Sequence, residues 1–433
     1  MPTSYPQSVE FLHGLQKHGI KPGLEAIRAL LDRLGRPERR YPSLHIGGTN
    51  GKGSTAAMAA SMLQAAGYRV GLYTSPHLVD FRERIQVNGA MIAEERVAAL
   101  TGLIRALCGT PREPTFFEFT TAMAFQHFAE SGVDVAVIEV GLGGRFDATN
   151  EITPVATAIT TIALDHQEYL GETIGEITFE KAGIIKPGVP VVVGRVSEEA
   201  IAIIMRVADE RGAPLHRLHR DFRVAGELPA SFRYEGMGVS HGGLACPLAG
   251  RHQLDNAACA IALLEAASVC GLSVPEGAVR EGLRIVCWGG RLETVESCPQ
   301  IVLDGAHNPD AAAVVADYAA DVRRQRPGSR VILVLGMMRD KDREGFLDHL
   351  LPQADEVVVT QAQGLRATPA QELEASVKAR GRSAYVSPDP ADAMALARRL
   401  AAPDDLILMT GSVMLVGETK AILLGCGLSP LRG

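Results

Sequence analysis

Two periodicities alternate along this chain. Short runs that are apolar at nearly every position (44–46, 69–73, 133–140, 155–162 and 189–193) read as strands covered on both faces, and each stops at a glycine or polar cluster. Between them, stretches with apolar positions three and four apart read as helices: an Ala-rich one over 56–66 that stops at Gly67, then 94–107, a segment after Pro111 and Pro114, 173–185 and 198–211. The same alternation resumes later, with strands at 301–304, 331–336, 356–360 and 406–409 and helices near 309–324, 343–351, 369–380 and 390–401. Residues 8–35, punctuated by Gly14, Gly19 and Gly23, read as helices preceding the first strand. The run 80–89, with Ile85 and Val87 alternating ahead of Asn88-Gly89, predicts a hairpin, and 219–248 reads as a small antiparallel excursion.

The pattern therefore predicts an α/β protein with two sheets, and the length of 433 residues agrees with two domains. The glycines beside the lone Trp288 in CWGGRLETVESC mark the expected boundary, giving domains 1–288 and 289–433. With 46% hydrophobic and 21% charged residues the composition is that of an ordinary globular protein, and a net charge of −7 gives no electrostatic case for nucleic acid or an anionic membrane. Seven cysteines without a CxxC pair read as free thiols of a reducing cytoplasm. The start MPTSYPQSVEFLHGLQKHGI lacks the basic, apolar and small-residue order of a secretory leader, which also predicts a cytoplasmic protein, expected to be a monomer.

Chemistry concentrates first in SLHIGGTNGKGS, residues 43–54. A strand, a loop carrying Gly47, Gly48, Gly51 and Gly53, and a helix in succession make a phosphate cradle, because bare glycine backbone can turn its amides toward polyphosphate oxygens. Lys52 adds a cation, and Ser54 or Thr55 a hydroxyl for magnesium. The loop departs from the general Walker pattern at Ile46 and Gly53, so it is a shortened variant. Ser75 follows the next strand, where open α/β sheets put ligands; a turn-capping serine is its plain alternative. Glu139 closes the strand 133–140 and is a candidate hard oxygen ligand for magnesium, whereas GLGGRF fails as a dinucleotide fingerprint because Phe146 stands in the third glycine's place. Glu118 is an acid among phenylalanines and needs a partner if buried. Asn256 falls in a helix's first turn, and Lys181, read alone, is one more surface lysine. In the second half DGAHNP (304–309) and TGS (410–412) gather polar residues at strand ends and predict a second site component.

GTNGKGS, SPHLVDFRERIQVNG, TFFEFTTAMAF, EVGLGGRFDATN, LDHQEYLG with EKAGIIK, GRHQLDNA, GGR and DGAHNP follow one another in this order. In that series the chain resembles the folylpolyglutamate synthases, folate-processing members of the ATP-dependent Mur ligase superfamily, from about residue 10 to about 420. The resemblance implies a P-loop ATPase domain with a mostly parallel central sheet, followed by a smaller Rossmann-like α/β domain. It implies an ATP-dependent ligase that joins L-glutamate to a pterin-bearing carboxylate through an acyl phosphate. Carried over residue by residue, Gly48, Thr49, Asn50, Gly51, Lys52, Gly53 and Ser54 with Asn256, Arg291 and Asp304 hold ATP. Ser75 and Glu139 hold one magnesium and His166 a second, with Lys181 carbamylated into an oxygen ligand; Lys52, His166 and Lys181 make the catalytic set. Whether a monovalent cation joins them the motifs leave open. Phe117, Glu118, Arg145 and Asp147 lie on the pterin side, and His307 and Ser412 on the glutamate side. The family commonly has Pro-Gly-Arg where this chain has Gly289-Gly290-Arg291, which predicts a looser turn before Arg291.

GGRFDATN, with arginine and aspartate together, resembles bifunctional enzymes that act on both dihydropteroate and reduced folates; polyglutamylation alone is the alternative. A peptidoglycan-precursor ligase would carry a domain ahead of the cradle, and the roughly forty-five residues there fall below a usual independent domain. From another class, a nucleotide-gated binding protein without ligase chemistry would have no use for Glu139, His166 and Lys181 together.

Overall fold

The structure, a computed structural model, describes residues 4–16, 19, 21, 23–109, 112–229 and 231–431. Pro111, expected to break the chain between two helices, lies outside the described residues. Two compact units are formed: one from Met1–His77, Phe81–Pro247 and Gln253–Cys287, the other from Leu78–Asp80, Leu248–His252 and Trp288–Gly433. Sequence pattern had given 78–80 and 248–252 to the first domain; neither segment carries a local sign of where it packs.

The first unit is built on strands β1 (Ser43–Gly47), β2 (Val70–Tyr73), β3 (Ile85–Val87), β4 (Ala90–Met91), β5 (Val135–Glu139), β6 (Ala156–Ile159), β7 (Val191–Val193) and β8 (Leu215–Arg217). They lie in the order β4-β3-β2-β5-β1-β6-β7-β8. From β2 to β8 the pairing is parallel, and the expected hairpin β3–β4 closes one edge antiparallel. Every residue of β1, β2, β5, β6 and β7 is buried. Helices cover such strands on both faces, which is why their sequences are continuous apolar runs without alternation. The hairpin turns at Asn88 and Gly89, both at positive φ (49° and 75°), as an Asn-Gly pair favours.

Register decides the site's layout. β1 sits between β5 and β6, with Ile46 level with Glu139 and Gly47 level with Ile159. The cradle therefore leaves the centre of the sheet with the end of β5 on one side and the end of β6 on the other. A separate antiparallel sheet of β9 (Arg223–Glu227), β10 (Ser231–Glu235) and β11 (Ser240–Leu244) accounts for the predicted excursion.

The second unit holds β12 (Glu293–Ser297), β13 (Gln300–Leu303), β14 (Val331–Leu335), β15 (Glu356–Val359), β16 (Tyr385–Val386) and β17 (Leu406–Thr410), ordered β12-β13-β17-β14-β15-β16. Only β12 runs antiparallel. Apolar clusters cover both faces: Val302, Leu333, Val357 and Leu408 meet Val315, Phe346 and Leu373 on one, and Ile301, Ile332, Val358 and Ile407 meet Ala393, Leu415 and Val416 on the other. The short edge strands β12 and β16 have no apolar run, so periodicity does not reveal them.

Candidate active site

Beyond Gly47 the chain turns through Gly48 (φ 133°) and Gly51 (φ 87°) and enters the Lys52–Ala65 helix. A Cβ on Gly48 would overlap Thr160 Oγ1, and one on Gly51 would overlap Asn256 Oδ1, so backbone direction and close approach both require glycine here. The loop is stitched to the end of β6. Thr49 N–H donates to the Thr161 carbonyl at 2.7 Å and Asn50 N–H to Thr161 Oγ1 at 2.9 Å. The hydroxyls of Thr160 and Thr161 donate to the Asn50 carbonyl at 2.6 and 3.1 Å. Sequence reading missed this threonine pair; its sign was two hydroxyl residues at the end of a buried strand. No side chain caps the Lys52–Ala65 helix and its first turn holds no acid, which leaves the positive end of the helix for an anion. Lys52 Nζ donates to the Thr49 carbonyl at 3.0 Å. Asn256, beside Gly51, donates to Gln253 Oε1 at 2.9 Å, so the expected ATP residues 48–54 and Asn256 do come together.

Lys181 is not a surface lysine. It is 5% exposed, and its Nζ donates to the Gly48 carbonyl at 2.9 Å. The Ile174–Ala182 helix starts from a Thr173–Glu176 capping box and delivers Lys181 near its end to the underside of the cradle. Burial, with the charge of Lys52 adding to it, lowers its pKa to about 7, against the pull of Asp165 and Asp147. A large fraction of this amine is therefore neutral near pH 7.

Glu139, buried at the end of β5, accepts the backbone N–H of Ser75 at 3.0 Å, which joins the two expected ligands of one cation. His166 follows β6 in the left-handed region (φ 52°), with Nε2 3.9 Å from Asp165 Oδ2. Among the described residues no three His, Cys, Asp or Glu side chains gather as a metal set. A buried carboxylate beside a serine suits a hard divalent cation.

On the expected pterin side, Phe117 lies against Gly141 and tilts toward Tyr73, with ring centroids 6.1 Å apart. Glu118 has its partner. It forms a capping box with Thr115, whose N–H and Oγ1 donate to Oε2 at 2.7 and 2.9 Å, while Arg112 binds both oxygens at 2.8 Å. The Thr-x-x-Glu spacing is that of a capping box, so in this structure Glu118 fixes the turn that bears Phe117 on the expected pterin side. Asp147 is buried inside its own loop, accepting from Leu142 N–H, Thr149 N–H and Thr149 Oγ1; burial raises its pKa against those donors. Arg145 pairs with Glu180 at 2.6 Å and lies over the Phe146 and Phe179 rings at 4.3 and 5.1 Å.

In the second unit, Asp304 ends up behind the turn that carries Arg291. Its carboxylate accepts the N–H groups of Leu292 and Ala306, both at 2.8 Å, and burial raises its pKa while Arg291 opposes that shift. The glycine turn is braced where a looser one was expected: Gly290 N–H donates to Glu293 Oε2 at 2.8 Å and the Gly290 carbonyl accepts Gly305 N–H at 2.9 Å. His307 Nδ1 lies 2.8 Å from the Gly305 carbonyl, and Ser412 caps the Val413–Leu424 helix through Met414 N–H. Gly411 N–H donates to the Ala306 carbonyl at 3.0 Å, which puts the DGAHNP and TGS loops side by side.

The Mur ligase middle domain model matches residues 46–264, and the model of the Mur ligase glutamate ligase domain matches 290–413. The dihydrofolate synthase/folylpolyglutamate synthase of Bacillus subtilis is 37% identical over 429 residues, covering 96% of this chain and 99% of its own. The structure of Escherichia coli FolC in complex with DHPP and ADP superposes with a TM-score of 0.90 at 32% identity, covering 98% of each chain. A bifunctional folylpolyglutamate synthase/dihydrofolate synthase with Mn, AMPPNP and L-glutamate bound gives 0.88 at 33% identity, covering 98% of this chain and 100% of the other. With both models matched and a curated relative aligned nearly end to end, the chain belongs to the Mur ligase family, in its dihydrofolate synthase/folylpolyglutamate synthase branch.

Proposed function

We propose that this chain is an ATP-dependent ligase that adds L-glutamate to dihydropteroate and to reduced folates. The observation that carries the reading is the buried Lys181, whose Nζ donates to the carbonyl of Gly48 directly beneath an uncapped glycine cradle and whose pKa burial lowers. A cradle alone binds nucleotide; a lysine poised to be changed chemically beneath it belongs to phosphoryl transfer. Bound DHPP, ADP and L-glutamate in the solved relatives support the substrate set.

The substrate carboxylate attacks the γ-phosphorus of ATP, the bond to the bridging oxygen breaks, and ADP leaves an acyl phosphate behind. During that step the first amides of the Lys52–Ala65 helix and the Lys52 ammonium hold the β- and γ-phosphates, and Asn256 keeps the loop closed at Gly51. The amine of glutamate then adds to the acyl carbon, loses a proton, and inorganic phosphate departs as the amide forms. Neutral Lys181 adds to dissolved CO2, releasing a proton and becoming a carbamate, so a cation turns into an oxygen donor. Ser75, Glu139, His166 and that carbamate are the groups that would hold divalent cations, whose contribution is to neutralise charge on the transferred phosphate. Phe117, fixed by the Glu118 cap, receives the pterin, while Arg145 and Asp147 shape the loop beside it; Arg291 and Asp304 serve ATP, and His307 and Ser412 serve glutamate.

Free thiols at all seven cysteines support the reading of a cytoplasmic enzyme, and we propose that it works as a monomer. Among the described residues no helix is long and apolar enough to cross a membrane. The test is ATP-dependent incorporation of labelled glutamate with dihydropteroate and tetrahydrofolate offered separately. Both acceptors are expected to be extended with ADP release. ADP release with neither acceptor would overturn the ligase reading, and extension of tetrahydrofolate alone would reduce it to folylpolyglutamate synthesis.

A further inference from the structure

The turn that presents Arg291 is unfavourable on its own. Gly290 has φ 67°, and Leu292, a residue with a branched side chain, has φ 47°. Such a turn persists only where its surroundings hold it. Three bonds do so: Gly290 N–H to Glu293 Oε2 at 2.8 Å, Gly305 N–H to the Gly290 carbonyl at 2.9 Å, and Leu292 N–H to Asp304 Oδ2 at 2.8 Å. Arg291 is tied to the same carbonyl, since its Nη1 donates to Gly290 O at 3.1 Å.

Glu293 would be a mobile acceptor at the start of β12 were it not held from outside. Lys420, in the Val413–Leu424 helix, donates to both of its oxygens at 2.7 and 2.9 Å. The same ammonium lies 2.6 Å from where a Cβ on Gly289 would stand, so it packs directly on the bare backbone of the turn. Both side chains are only partly exposed, at 22% and 27%, which lessens the solvent screening of the pair.

We propose that Glu293 and Lys420 are positioning residues that clamp the 289–292 turn and so aim the Arg291 guanidinium. The inference rests on the reading above that Arg291 serves ATP. In the full chain, Lys420→Met and Glu293→Gln are expected to raise the ATP KM roughly fivefold to tenfold with kcat within about twofold of the parent, and Lys420→Arg to restore most of the loss. Hydrogen exchange of the ligand-free protein is expected to quicken about tenfold at the amides of Gly290 and Leu292 in Lys420→Met, and to stay slow in Lys420→Arg. Unchanged exchange at these amides, or faster exchange with an unaltered ATP KM, would overturn the proposal. Arg291→Ala run alongside separates the two readings: if it leaves the ATP KM unaltered, Arg291 does not serve ATP and the aiming role falls with it. The exchange rates then still decide whether the pair clamps the turn.

Discussion

At Lys181 burial does two things at once: it strips water from the amine, which brings its pKa to about 7, and it lodges that amine on the cradle's own carbonyl. The sign of the resulting pH dependence follows. In the proposed carbamylation only the neutral amine would add to CO2, so carbamate is expected to build up as pH rises through about 7 and to be lost as pH falls below it. Activity regained by adding bicarbonate to CO2-depleted enzyme should therefore be large near pH 8 and small near pH 6, as initial rates of ADP release would register. A pH-independent recovery would remove the carbamate from the mechanism. Lys181→Met should lower turnover roughly a hundredfold or more, while an ATP analogue still binds in calorimetry and the melting temperature holds, because an apolar chain suits that burial. Nothing local in EKAGIIK marks Lys181 as buried; the role expected of it rests on the family's motif order. Glu118 is the opposite case, since its capping box is written in the sequence as Thr115-x-x-Glu118.

Between elements, the loop 141–147 behaves as an extension of the helix that carries Lys181. Arg145 N–H donates to the Glu180 carbonyl at 2.8 Å, its guanidinium grips the Glu180 carboxylate, and Asn150 Nδ2 donates to the carbonyls of Arg145 and Gly183 at 3.0 and 3.3 Å. Removing the side-chain part with Glu180→Gln should cost no more than about 1 kcal/mol in stability, since the pair is partly exposed. The pterin substrate's KM is the quantity expected to rise, about threefold to tenfold, with the ATP KM unmoved. Steady-state kinetics varying each substrate in turn decides it, and an equal rise in both constants would mean that Glu180 supports the whole cradle. Most helices and buried strands were legible because continuous apolar runs and 3.6-residue spacing are local properties. Pairing was not: β1 lies between β5 and β6, and the threonine clamp from Thr160 and Thr161 exists only because of that order.

For the molecule as a whole, the least legible feature is the return of the chain into a unit built mostly from its far end. Leu78–Asp80 leaves the first unit's sequence to join the second, where Leu78 packs against the cluster containing Leu415 and Val416. The Val79 carbonyl accepts Ser429 N–H at 2.9 Å, so this short strap is held along the Val413–Leu424 helix and its following segment. Gly417 is where the two backbones meet: a Cβ there would overlap the Leu78 carbonyl itself, and backbone cannot swing aside as a flexible side chain can. Gly417→Ala should therefore destabilise the second unit by about 1–3 kcal/mol, although alanine in a mid-helix position ordinarily stabilises by up to about 1 kcal/mol. The opposed signs make the test decisive. Hydrogen exchange should quicken in β13 and β17 while β1 and β5 keep their protection, and a melting temperature equal to or above that of the parent would mean that the strap yields to the added methyl group and does not brace the unit.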